Sequence, residues 1–191
     1  MPDNRVEFGQ LSPPSDWPWA VSVRSECLNK RSNRTEVLST CSGVLIGSKH
    51  VLTAAHCLLT TINSYLRCKG NEVAGEFEFP GTTVYVAAKF IKLTIGGKDW
   101  SETTLELAGT NRTKSTKLRE DFVQLRVGPP CPGDSGGPLM REYRGKWYVI
   151  GLVIGKPDVC DHKSCFLRPT SYCSWINRVT RGRVICQRII Y

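Results

Sequence analysis

His56 and Ser135 sit in settings suited to nucleophilic chemistry. His56 ends the apolar run VLTAAHC, beside Cys57 and with Cys41 sixteen residues before that cysteine. If the two cysteines pair across a hairpin-like bend, the imidazole is held rigidly, as a general base must be. A lone histidine is more often structural, so this motif does not decide the matter alone. Ser135 lies in CPGDSGGP. Glycines on both sides of it free the backbone to turn sharply, so that successive N–H groups can converge beside the hydroxyl and form an oxyanion hole.

The elements that must position these residues are short. WAVSV, CSGVLIG, KHVLTAAHC, FIKLTIG, DFVQLRV, WYVIGLVIG and SCFLRPTSY are strand-length apolar runs divided by Gly, Pro, Ser and Asn clusters. They point to an all-β chain. Only the end reads as a helix: from Ser174 as N-cap, Trp175, Ile176 and Val179 share a face, and Gly182 weakens the helix halfway along. The stretch from Leu58 to Thr83 is polar and irregular and reads largely as a long surface loop. There are no internal repeats.

Nine cysteines, spread out and without a repeated CxxC pair, suit disulfides better than zinc and so suit an exported protein. Sequons at Asn33 and Asn111 permit N-glycosylation and agree with export. The opening MPDNRVEFGQ lacks the apolar core of a secretory signal, so an exported protein is expected to have its true N-terminus upstream. No window approaches a membrane-spanning length. The net charge of +9 is spread along the chain except for the basic tail NRVTRGRVICQRIIY. A solvated basic surface is the plain reading, with heparin-like polyanions as candidate partners. No nucleic-acid module is present, because basic and aromatic residues do not interleave as RNA recognition requires.

LTAAHC and GDSGGP together closely resemble the signatures of the chymotrypsin and trypsin family of serine proteases, and they occur in family order. WPWAVSV resembles the family's first strand, GGPLMREYRGKWYVIGLV the strands after the nucleophile, and FLRPTSYCSWI the last strand entering the C-terminal helix. The resemblance implies a trypsin-like double β-barrel with a C-terminal helix, here with an incomplete second barrel: residues 6–127 would form the first barrel and 128–191 the truncated second. It implies a secreted serine endopeptidase acting on proteins or peptides through an acyl-enzyme, without metal or cofactor. Ser135 would attack the carbonyl, His56 would carry the proton, and the N–H groups of Gly133 and Ser135 would bind the oxyanion. Cys41 with Cys57 and Cys131 with Cys160 match two family disulfides. Cys27 and Cys68 would be a third pair, while Cys165, Cys173 and Cys186 have no assigned partner. Family zymogens are cut after a basic residue, which implies cleavage between Arg5 and Val6 and a Val6 ammonium paired with Asp134.

Two aspartates compete to orient His56. Asp99 follows it by 43 residues, near the roughly 45 of the triad template, in the polar context KDWSETTLE. Asp121 follows by 65 and heads the apolar run DFVQLRV, which resembles the family's acid-bearing strand. Context favours Asp121.

The chain also departs from the pattern. Asp121 to Ser135 spans fourteen residues against roughly ninety in the template. A deletion of that size should leave unpaired strand edges, with a seam near Val127 and Gly128. Its explanations, in order of preference, are a splice or gene-model product, a degenerate paralogue and a rebuilt minimal protease. Pro129 stands where trypsin-like relatives carry an acidic specificity residue, and Ile154-Gly155 replaces the family's SWG wall, so an apolar or poorly formed pocket is expected. A non-catalytic homologue serving as a binding or regulatory module remains the alternative to the enzyme.

Overall fold

The computed structural model describes residues 13–29, 32–61, 63, 68, 83–86, 90–96, 98–100, 122–125, 132–154 and 164–187. Strand β1 (Ala20–Asn29) alternates buried and exposed residues, as a half-buried strand must, and places Val21, Val23, Ser25 and Cys27 on the inner face. It pairs antiparallel with β2 (Arg34–Gly47) on one side and with β6 (Ile91–Ile95) on the other. β3 (His50–Leu52) and β7 (Lys98–Trp100) extend this sheet to the order β3-β2-β1-β6-β7. Its core gathers Val21, Val23, Cys41, Ala54, Cys57 and Ile91.

Within that core Ser25 is buried, and its hydroxyl lies 2.5 Å from the Ser39 hydroxyl. Ser39 donates its proton to the Cys57 carbonyl at 2.8 Å, so Ser25 is the donor to Ser39. The buried hydroxyls are thereby satisfied, and the residue after His56 is held from below.

β4 (Leu59–Thr61) and β5 (Thr83–Tyr85) form a separate two-stranded ladder. The sequence reading placed both at the margins of a long loop, but their β-branched residues pair across it. A second sheet runs β8-β11-β10-β9, from β8 (Phe122–Leu125), β9 (Pro138–Tyr143), β10 (Lys146–Val153) and β11 (Ser164–Leu167). Its close packing is visible at Gly151, where a Cβ would lie 2.9 Å from the Phe166 Cβ.

The strand after Asp121, β8, joins this sheet beside β11. Phe122 pairs with Leu167 and Leu125 with Ser164. An apolar run does not encode which sheet it joins, and β11 would otherwise present an open edge. Among the described residues neither sheet closes into a barrel, so the double barrel is met only in part.

Helix α1 (Cys173–Val179) begins two residues earlier than a Ser174 cap would set, with Tyr172 in the cap position, and ends before Gly182. Thr180 is almost fully buried, and its hydroxyl donates to the Ile176 carbonyl at 2.8 Å, closing the last turn. Gly182 then adopts a φ of +74°. A disulfide joins Cys173 to Cys186, across a separation of 13 residues, and straps the tail to the helix. Among the described residues no helix is long and apolar enough to cross a membrane.

Replacing Cys173 and Cys186 together by alanine should lower stability by about 3 kcal/mol, the loop-closure value for this separation. Urea unfolding under non-reducing conditions measures it, and an unchanged midpoint would contradict a stabilising strap.

Candidate active site

The histidine turn follows β3 directly. A short 3-10 turn (Ala55–Leu58) carries His56 toward solvent while Cys57 and Leu58 turn into the core. Cys57 is bonded to Cys41 on β2, which fixes the turn against the sheet. Partial burial of the imidazole costs its charged form solvation and pulls the His56 pKa below the ordinary 6.5.

The serine loop comes from the other sheet and is held on both flanks. On one side the Gly136 N–H donates to the Val153 carbonyl at 2.6 Å, and the Val153 N–H donates to the Gly137 carbonyl at 2.8 Å. On the other side the Ser42 N–H of β2 donates to the Ser135 carbonyl at 2.8 Å. The Ser42 hydroxyl donates to the Gly133 carbonyl at 2.8 Å. The Thr53 hydroxyl closes the seam by donating to the Ser42 carbonyl at 2.7 Å. The Cys57 sulfur lies 3.4 Å from the Ser135 carbonyl oxygen; being in a disulfide, it has no proton to donate and makes a packing contact. The residue after His56 therefore touches the backbone of Ser135.

Gly136 explains the glycines after the serine. Its φ is +79°, and a Cβ there would collide with the Thr53 hydroxyl and the Ser42 carbonyl and lie 2.9 Å from the Ala54 nitrogen. Only a residue without a side chain lets the serine loop approach the histidine turn this closely. Gly133, at φ +101°, faces open space instead, so its need is conformational. Among the described residues neither the Gly133 nor the Ser135 N–H has an acceptor. That arrangement can receive a developing negative charge.

The remaining expected residues divide. Asp134 is 8% exposed and engaged in an interaction. Asn33 sits at the exposed tip of the β1–β2 hairpin, at a φ of +52°. Asp99 lies on β7, opposite Thr94 of the first sheet. Ile154 packs against the first core. Arg5, Val6, Asn111, Asp121, Pro129, Cys131, Gly155 and Cys160 lie outside the described residues. Cys27 and Cys68 are bonded, and Cys165 is disulfide-bonded too. The sequence reading missed Ser42 and Thr53. The available signal was a hydroxyl residue inside each apolar run, directly after Cys41 and within LTAAHC.

The family model described as Trypsin matches residues 7–100 and 80–176. The chain belongs to the trypsin family. Among relatives of this trypsin-family chain, Chymotrypsin-C of Bos taurus is 34% identical over 195 residues, an alignment covering 95% of this chain and 65% of that protein. Chymotrypsin-C of Rattus norvegicus is 26% identical, with 91% and 88% covered. Spermosin of Halocynthia roretzi is 23% identical, with 82% and 57% covered. The chain thus spans less than two thirds of the bovine protein and of spermosin.

Substituting Gly136→Ala should cost roughly 3–5 kcal/mol, from overpacking plus a strained φ. Gly145→Ala, at φ +70° but in open space, should cost about 1–2 kcal/mol. Thermal denaturation of the pair measures the difference, and equal losses would contradict the close approach at Gly136.

Proposed function

We propose that this trypsin-family chain is a secreted serine endopeptidase that hydrolyses protein or peptide substrates through an acyl-enzyme. Ser135 is the nucleophile, His56 the general base and then acid, and the N–H groups of Gly133 and Ser135 the oxyanion donors. The reading rests chiefly on the hydrogen bond from Ser42 to the Ser135 carbonyl, which draws the serine loop against the histidine turn. Asp121 is the proposed orienting acid. Cleavage between Arg5 and Val6 would supply an ammonium that pairs with the buried Asp134 carboxylate. Disulfides joining Cys27–Cys68, Cys41–Cys57 and Cys173–Cys186 support an oxidising, extracellular setting, and the exposed hairpin tip suits glycosylation at Asn33. The basic surface suits heparin-like polyanions.

One observation favours the second reading, a non-catalytic homologue acting as a binding or regulatory module. Asp121 immediately precedes β8, and β8 is laddered to β11 on the serine side rather than to the sheet that carries His56.

A fluorophosphonate probe separates the two readings. The enzyme predicts labelling of the folded protein that vanishes with Ser135→Ala; no labelling would reject it. Because desolvation lowers the His56 pKa, the neutral base persists below pH 6.5. The labelling rate should therefore fall on acidification with a midpoint below 6.5, and a midpoint above 6.5 would contradict this environment for His56. N-terminal sequencing of active material should begin at Val6; any other N-terminus would sink the activation step.

A further inference from the structure

We infer that Ser42 is a positioning residue whose hydroxyl latches the oxyanion loop, fixing the Gly133 peptide so that the Gly133 and Ser135 N–H groups point to one place. The inference deepens the proposed function and rests on it.

Ser42 is only 8% exposed, on β2, and all of its polar groups are used. Its N–H binds the Ser135 carbonyl, its carbonyl accepts the Thr53 hydroxyl, and its own hydroxyl binds the Gly133 carbonyl, 91 residues away along the chain. The first two bonds register β2 against the serine and against the histidine turn. The third has a different target, because it grips the peptide that joins Gly133 to Asp134.

Gly133 needs such a grip. A Cβ on it would meet nothing within 4 Å, so packing does not hold it, and at φ +101° glycine has several backbone alternatives of similar energy. The Gly133–Asp134 peptide lies between the two peptides that carry the Gly133 and Ser135 N–H groups, so a change in the backbone torsion that sets the Gly133 carbonyl turns one donor relative to the other. The neighbouring glycines differ: a Cβ on Gly136 or Gly137 would lie within 3 Å of backbone atoms, so those positions are fixed by contact. The hydrogen bond from Ser42 supplies at Gly133 the restraint that packing supplies farther along. Preorganised donors are effective only when they need no rearrangement at the moment of reaction. Loss of the latch should therefore slow bond formation at Ser135 without altering how well a reagent binds.

The variant Ser42→Ala keeps the backbone N–H and the Cβ and removes only the hydroxyl. Inactivation kinetics with a fluorophosphonate give a binding constant and a rate constant separately. The latch predicts a rate constant lowered about ten- to a hundredfold, with an unchanged binding constant and the pH midpoint retained. An unchanged rate constant while wild type labels would overturn the latch and leave the enzyme reading standing. A loss of binding and rate together, with early melting, would also overturn it, by showing a merely structural role.

Should wild type itself fail to label, the enzyme reading falls, and the latch is read from amide hydrogen exchange instead. Exchange of the Gly133, Asp134 and Ser135 amides at least tenfold faster in Ser42→Ala than in wild type, with the β1 amides unchanged, supports it. Equal exchange overturns it.

Discussion

The hydrogen bond between the Ser42 N–H and the Ser135 carbonyl is the constraint on which the site depends. One partner belongs to the sheet that carries His56, and the other to the loop that opens the second sheet. Around that bond the sequence is arranged to let two backbones meet: a glycine at 136, a disulfide from Cys41 to Cys57, and a threonine at 53 that holds the Ser42 carbonyl from behind. The buried chain from Ser25 through Ser39 to the Cys57 carbonyl supports the histidine turn from the opposite side. Buried hydroxyls that are fully satisfied in this way hold geometry rather than merely avoid a desolvation cost.

The second sheet shows how a shortened chain manages its edges. A loss of strands between Asp121 and Ser135 should expose β11 along one side, and an exposed edge invites pairing with other chains. β8 fills that position through four register pairs, from Phe122 with Leu167 to Leu125 with Ser164. The same pairing takes the residues after Asp121 away from the first sheet.

Much of this was legible in the sequence. The apolar run WAVSV marked the start of β1, and the glycines of GDSGGP called for a loop with unusual freedom, met at Gly133 and Gly136. The pairing of β4 with β5 was not legible, because two strands of three residues separated by a long polar stretch carry no periodic signal. Nor was the partner of β8, since an apolar run reads alike in either sheet. The helix stops short of Gly182 because Arg181 and Gly182 turn left-handed and their N–H groups cap the Arg178 and Asn177 carbonyls. Ser42 and Thr53 escaped notice because a hydroxyl in an apolar run reads as a tolerated polar residue until its distant partners are known.

A reagent that must bond to histidine and serine together tests most directly whether the two motifs form one site. A peptidyl chloromethyl ketone alkylates an active-site imidazole efficiently only when a neighbouring serine captures its carbonyl. Using reagents ending in alanine, phenylalanine and lysine, peptide mapping by mass spectrometry should find alkylation on His56 and not on His50, dependent on Ser135. Modification that is absent with every reagent, equal at His50 and His56, or undiminished in Ser135→Ala would contradict the account.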